Sequence, residues 1–309
     1  MAGVTDVAFQ ALLDKLECPL MWTEMISAQS LLQKPALITH LLLPQQRKSP
    51  IIAQIFGTDP EKLSDAAHVL IDNGADGLDI NMGCPAKKIV RSGCGIALMQ
   101  NPRLAERLMK KIRKCTDKCV GVKLRLGWSP SQKNIIEFIR MAEDTGLDFI
   151  TVHARYRSNY SQPADWKALA EVVEASRLPI IGNGDVVNGD TALGVFHSTH
   201  CNAVMIGRAI LGNPWLPAQI EAFLEKQTPI TEIPLNEKFD VMLTHLDLLT
   251  DLYGARRSAL IFRKHAAWYC RGLPYIAEYK KQIFSFTEPA QYIQFVQLFT
   301  HLQSSLKTL

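Results

Sequence analysis

Cys84 sits in Asn81-Met82-Gly83-Cys84-Pro85-Ala86-Lys87-Lys88, directly after an apolar run and beside the cations Lys87, Lys88 and Arg91. A thiol in that setting can act as nucleophile, general acid or general base, and spacing alone does not choose among these roles. Polar residues end the apolar runs of the chain in the same way: Glu24, Gln54, Asp79 with Asn81, Lys123 with Arg125, His153, Asn183 with Asp185, and Gly207 with Arg208. Any one of them is equally well a polar cap on a strand end. Seven runs ending alike point instead to one convergent cavity. Lys123, set among apolar neighbours, is costly to bury without an anion, so a ligand's developing negative charge explains it better than structure does. His153 reads equally as a core histidine or a ligand contact, and its strand-end position favours contact. Ile181-Gly182-Asn183-Gly184-Asp185 and Met205-Ile206-Gly207-Arg208-Ala209 are glycine turns of the kind that cradle phosphate, the second with an arginine to fork onto its oxygens. A phosphorylated ligand or cofactor follows.

The elements that must position these residues alternate. Leu20 to Thr23, Ile51 to Phe56, Leu78 to Asn81, Val120 to Arg125, Phe149 to His153, Pro179 to Asn183 and Ala203 to Gly207 read as buried strands. Amphipathic segments lie between them, such as Glu61 to Asn73, Arg103 to Lys114, Ile135 to Thr145 and Trp166 to Ser176, two of them closed by Gly74 and Gly146. Strict alternation implies a parallel sheet. Seven units, apolar on both faces, point to a TIM (β/α)8 barrel rather than a doubly wound sheet. The missing strand is the first, because Met1 opens on Gly3-Val4-Thr5-Asp6, a loop and N-cap feeding a helix from Val7 to Leu16. After Pro214, Pro217, Pro229 and Pro234 the pattern turns helical. The expected division is therefore a barrel over residues 1–228 and an all-α domain over 235–309. The latter holds nine Lys/Arg against six Asp/Glu, seven of the nine between 256 and 281.

Composition narrows the class. The chain of 309 residues is 47% hydrophobic and 21% charged with a net charge of +4, which excludes disordered, collagenous and disulfide-framed proteins. No apolar run reaches the ~20 residues needed to span a bilayer, and the N-terminus lacks the plan of a signal peptide, so a cytoplasmic protein off the membrane is expected. Seven cysteines without a CxxC pair suit a reducing compartment and offer no metal site. Cys18, Cys115, Cys119, Cys201 and Cys270 read as small buried hydrophobes, and Cys94 as packing under a glycine turn.

Met1-Ala2-Gly3-Val4-Thr5-Asp6, Gln54, Asp79 to Lys88, Val122-Lys123-Leu124-Arg125, Asn183-Gly184-Asp185 and Gly207-Arg208 together resemble the flavin-dependent tRNA-dihydrouridine synthases, over nearly the whole chain. The cysteine stretch and Arg263-Lys264-His265-Ala266-Ala267-Trp268-Tyr269 look most like the bacterial B branch. The resemblance implies FMN over the barrel mouth, reduced by NADPH (or NADH) and used to reduce the C5–C6 double bond of a tRNA uridine to 5,6-dihydrouridine. It implies that Met1, Ala2, Gln54, Lys123, His153, Asn183, Gly184, Asp185, Gly207 and Arg208 hold FMN. Cys84 would give a proton to C5 opposite a hydride delivered to C6. Asn81, Lys87, Lys88, Arg91, Arg263 and Lys264 would contact tRNA, the three cations after Cys84 lying on phosphate rather than tight against the sulfur. An extruded base needs a second grip on the polynucleotide, and the basic, aromatic-rich helical domain of a monomer would supply it.

The sequence departs from that pattern in three places. His153-Ala154-Arg155-Tyr156 replaces His-Gly-Arg-Thr, Cys94 brings a second thiol near the cavity, and a strand ending in Ala-Pro is expected just before Met1. That last departure predicts a barrel with two unpaired edges and a natural start upstream. Two rival readings stand beside the reductase: another FMN barrel acting on a free pyrimidine, as dihydroorotate dehydrogenase does, and a tRNA-binding protein that has lost flavin.

Overall fold

The computed structural model describes residues 1–159 and 161–306. Its single sheet has eight strands, all parallel: β1 (Met21–Trp22), β2 (Ile26–Ser27), β3 (Ile51–Phe56), β4 (Gly77–Asn81), β5 (Cys119–Arg125), β6 (Phe149–His153), β7 (Ile180–Asn183) and β8 (Ala203–Met205). β1 pairs with the start of β3 at Ile51 and Ile52, and β2 with its end at Ile55 and Phe56, so the two share one position as an interrupted strand. The remaining strands follow in chain order. Among the described residues β8 pairs with β7 and not with β1, which leaves the barrel open where a first strand would close it.

Helix starts agree with their residues. Asp59 accepts from the backbone N–H of Glu61 and Lys62 with Pro60 behind it, Asp165 accepts from Ala168, and Asn188 forms a reciprocal capping box with Thr191. The helices Pro60–Asp72, Pro102–Arg113, Ile135–Asp144 and Trp166–Ala175 match the amphipathic segments to within two residues. Strand starts are held by carboxylates. Asp76 Oδ2 accepts from Ile51 N–H at 2.8 Å and pairs with Arg47, while Asp148 Oδ2 accepts from Val120 N–H at 2.7 Å and pairs with Arg113. The charges at the amino ends of the strands thus serve the fold. Cys119 departs from its expected burial, because it opens β5 at this end and is exposed.

By packing, the chain forms two compact units that do not follow chain order. One comprises Met1–Val7 and Pro19–Gly207, the other Ala8–Cys18 and Arg208–Leu309. The cause is apolar: Ala8 and Leu16 pack with the core built on Phe239, Met242, Leu246 and Phe262, and the Phe9 ring lies edge-on to His245 at 5.3 Å. The helix Leu216–Lys226, placed with the barrel by the sequence, belongs to this second unit, and residues 307–309 of the expected helical domain lie outside the described residues. No described helix is long and apolar enough to cross a membrane.

Inside the helical unit two imidazoles are buried in contact. His245 and His265 have ring centroids 4.6 Å apart, and Tyr269 OH lies 3.4 Å from His245 Nδ1. Burial drives both pKa values far below the ordinary histidine range, with Lys264 adding to the effect, so both rings are neutral when folded. Lowered folded-state values mean that this stabilisation is whole above about pH 6.5 and is lost as pH falls, by about 1.4 kcal/mol per pH unit for each ring. Denaturant titrations of the full chain between pH 7.5 and 5 are expected to show that loss, and His265→Phe to take away about half of the histidine part of the slope. An unchanged slope in the variant contradicts the assignment.

Candidate active site

Parallel register sets the site. The pairings align Gln54 with Asp79, Asn81 with Lys123, Arg125 with His153, and His153 with Asn183, so one row of polar side chains crosses the carboxyl ends of five neighbouring strands. Residues two apart share a face, which puts Asp79 with Asn81 and Lys123 with Arg125.

Two hydrogen-bonded chains organise the row. In the first, Gln54 Nε2 donates to Asp79 Oδ2 at 2.6 Å, and Gln54 Oε1 accepts from Asn81 Nδ2 at 2.8 Å. Asn81 Oδ1 then accepts from the backbone N–H of Cys84 at 3.0 Å and of Gly83 at 3.3 Å. A fully buried aspartate is thereby linked to the cysteine loop through two neutral amides. Burial pushes the Asp79 carboxyl up, against the Gln54 amide and the Lys123 charge, and its Oδ1 has no hydrogen-bond partner among the described residues. In the second chain, Lys123 Nζ donates to Asn183 Oδ1 at 2.9 Å, and Asn183 Nδ2 donates to Met205 O at 2.8 Å. Burial pulls the Lys123 ammonium down from the ordinary lysine range while Asp79 opposes it. The hydrogen-bond acceptor that this sunken cation holds is a neutral amide.

Cys84 is half-buried at the start of the loop leading into the short helix Lys87–Arg91. Its carbonyl accepts from Ile96 N–H at 3.1 Å, which folds the loop back on itself. The return depends on Gly95, where φ is +61° and a Cβ would stand 2.6 Å from Cys84 O. From below, Arg125 Nε donates to Gly83 O at 2.8 Å. Burial lowers Arg125 to about 10. Lys87, Lys88 and Arg91 are exposed, and the cation tied to the cysteine loop from within is Arg125, through Gly83 O. Cys94 is buried, its thiol pushed up by burial.

On the far side His153 Nε2 lies 3.0 Å from Arg155 Nη1, and Arg155 Nη2 pairs with Asp185 Oδ1. Asp185 Oδ2 also accepts from Ala164 N–H at 2.7 Å, so this carboxylate is engaged within the fold. Gly184, at φ +133°, packs under His153 and Arg155, whereas a Cβ on Gly207 would meet nothing within 4 Å and its backbone is open to a ligand. Near the gap in the barrel, Val4 N–H donates to Glu24 Oε1 at 2.8 Å, and the Met1 backbone carbonyl accepts from Val4 and Thr5. Ala2 is exposed. Arg208 opens a short turn, Arg208–Ile210, in the second unit. Arg263 Nε donates to Phe286 O at 2.8 Å and so closes the helix Ile276–Ser285, while Lys264 is half-buried beside the two histidines.

Sequence reasoning gave Arg155 and Thr23 no role. Thr23 Oγ1 accepts from Gln54 N–H at 3.0 Å and donates to Glu24 O, fixing the strand that carries Gln54. Arg155 matches the family pattern between two departures, Ala154 and Tyr156, and its role stayed hidden because its partner Asp185 stands thirty residues on. Among the described residues no three or more His, Cys, Asp or Glu are grouped to hold a metal ion.

The family profile described as Dihydrouridine synthase (Dus) matches residues 1–306. The chain is 34% identical over 303 residues to "tRNA-dihydrouridine synthase B" of Pasteurella multocida, covering 98% of this chain and 91% of that one. It is 35% identical over 292 residues to "Probable tRNA-dihydrouridine synthase 1" of Synechocystis, covering 92% and 80%. In fold it is similar to a solved structure of a variant of NCR from Zymomonas mobilis, at 16% identity and a TM-score of 0.50, over 77% of this chain and 88% of that one. A parallel barrel with a cysteine loop, a sunken lysine and glycine turns on one rim, matched from its first residue to its last helix, makes this chain a member of the dihydrouridine synthase family.

Proposed function

We infer that this chain reduces the C5–C6 double bond of a uridine in tRNA to 5,6-dihydrouridine, using a flavin mononucleotide across the carboxyl ends of its strands and NADPH as electron donor. The observation that carries this reading is Lys123: an ammonium sunk in the barrel mouth and hydrogen-bonded to the neutral Asn183 amide, level in register with the residue that holds the cysteine loop. A cation so placed complements a ring system that becomes anionic on reduction.

The residues fit the group. Gln54, Lys123 and Asn183 offer donors and acceptors in one row for the polar edge of an isoalloxazine, with His153 at its end. The open backbone of Gly207 suits a phosphate, with the backbone of Gly184 and Asp185 as a further contact and Met1 and Ala2 beside the barrel gap. Bound there, a flavin would supply the hydride for uracil C6. Cys84 Sγ holds the proton that goes to C5, which balances the addition of two hydrogens across the bond. Asn81 fixes the cysteine loop through two backbone N–H groups while its amide nitrogen stays on Gln54, so the sulfur is held in place without a charge on its holder. Lys87, Lys88 and Arg91, exposed beside Cys84, are placed for tRNA phosphates, and Arg263 and Lys264 for a second contact from the helical unit. The setting is the cytoplasm, where tRNA is modified.

Cys84→Ala is expected to retain flavin and its reduction by NADPH, but to slow tRNA-dependent reoxidation by about 100- to 10,000-fold, the range for loss of a general acid. Stopped-flow absorbance separates the two half-reactions, and equal slowing of both would rule out the proton-donor role. Lys123→Met is expected to weaken flavin retention and slow turnover by about 100-fold. Because burial lowers the folded-state pKa of Lys123, its cation is lost as pH rises through a value below the ordinary lysine range. Wild-type turnover should therefore fall on the alkaline side and Lys123→Arg should move that limb upward; an unmoved limb would count against Lys123 as its source.

A further inference from the structure

Beside the row of strand ends, two neighbouring loops enclose a cavity of about 360 Å³ to which none of the roles above has been given. One wall, with Met99 and Pro102, belongs to the segment between β4 and the helix Pro102–Arg113. The other, with Trp128, Gln132, Lys133 and Asn134, runs from β5 to the helix Ile135–Asp144. Both walls belong to segments that follow the strands β4 and β5, the strands that carry Asn81 and Lys123 at their carboxyl ends. Its volume is at the lower end of the range for small-ligand pockets.

The walls are built rather than incidental. Asn134 occupies the N-cap position of its helix, yet its side chain makes no capping bond and instead donates from Nδ2 to Met99 O at 2.6 Å, joining the two loops. Ile96 N–H bonds to Cys84 O, so the Met99 wall is an extension of the cysteine loop itself. The Trp128 loop closes through a bridge between Gly127 and Lys133. Gly127 lies at φ +148°, and a Cβ there would stand 2.4 Å from Gln132 O. Trp128 O accepts from Ser158 N–H at 3.0 Å and Gly127 O from Arg157 N–H at 3.1 Å. The Arg157 guanidinium lies 4.0 Å over the indole. The indole is thus a half-buried plate, fixed by its own backbone and by a cation on its ring.

The chemistry of the lining selects the occupant. Met99, Pro102 and the indole offer flat apolar contact, and the Gln132 amide offers a donor and an acceptor at the rim. Charge argues against a phosphate: Lys133 is paired with Glu171, and Glu137 stands in the first turn of the helix that begins at Ile135. A flat, neutral ring with hydrogen-bonding edges fits, and a nucleobase is such a ring. Reduction of a uridine in tRNA requires the target base to leave its stack, which also frees its neighbour.

We propose that this cavity receives one nucleobase of the tRNA strand flanking the reacting uridine, stacked on Trp128 and read at its edge by Gln132. The proposal rests on the tRNA reading given above. It makes Trp128 a binding residue for the substrate strand, separate from the residues that hold flavin.

The test is binding of unmodified tRNA transcript to the flavin-loaded full chain and its Trp128→Leu and Trp128→Phe variants, by filter retention at several salt concentrations and by intrinsic fluorescence. Trp128→Leu is expected to weaken the Kd by about ten- to a hundredfold, as loss of a stacked base does, and Trp128→Phe by less. The salt slope should stay that of wild type, because a stacked base releases no counterions. Fluorescence quenching on tRNA addition should shrink in both variants. Flavin content and reduction by NADPH, measured alongside, separate a lost contact from a misfolded loop. Unaltered Kd and quenching in Trp128→Leu with flavin intact would overturn the proposal, and so would a loss of affinity that flattens the salt slope, which marks a phosphate contact instead. Wild-type chain that reduces no tRNA uridine would sink the function itself, an outcome visible before any variant is made.

Discussion

An amine sunk in a parallel sheet and left with a neutral amide as its hydrogen-bond acceptor is the constraint around which this rim is arranged. Taking an ammonium out of water costs several kcal/mol unless something anionic repays it. Asp79 lies two residues before the register partner of Lys123 but gives its Oδ2 to Gln54, so its help is through space rather than by contact. The sheet could have satisfied Lys123 with a carboxylate at position 183. It has Asn183 there, whose other amide atom is held by Met205 O, and the charge is left available to a ligand.

Neutral amides recur wherever position matters in this site. Gln54 and Asn183 each bridge two partners and Asn81 bridges four, and none of them adds charge. Buried networks are stable when each member is satisfied, and amides achieve this without fixing a protonation state. The loop that presents Cys84 is tied at its front by Asn81, from below by Arg125 and at its return by Ile96, three ties from different segments converging on two residues.

Much of this was legible in the residues. Strand ends and helix spans follow from periodicity and caps, because β-branched runs and Asp-Pro or Asn-Pro starts leave few alternatives, and the row from Gln54 to Asn183 follows once the strands are parallel. The gap at the first strand follows from the loop-like opening Gly3 to Asp6 and, among the described residues, is seen as the missing pairing between β1 and β8. What sequence hid was pairing at a distance. Ile26–Ser27 is too short to register as a strand, and it forms only because the end of β3 is there to pair with it. The Asp185 side chain is held by Arg155, thirty residues before it. Arg263 has a structural tie that the local pattern does not show, its Nε closing a helix end at Phe286. The segment Ala8–Cys18 looked like barrel, but Phe9 packs on His245. Each of these turns on a partner far along the chain, which composition and local pattern do not encode.

The central claim is that this rim adds two hydrogens to a tRNA uridine. The most direct measurement is mass spectrometry of nuclease digests of an unmodified tRNA transcript after incubation with the flavin-loaded chain and NADPH. The account predicts that uridine in one defined fragment is converted to dihydrouridine, with no conversion when Cys84→Ala replaces the wild-type chain over the same time. Flavin that is reduced by NADPH but leaves every uridine unchanged would contradict it.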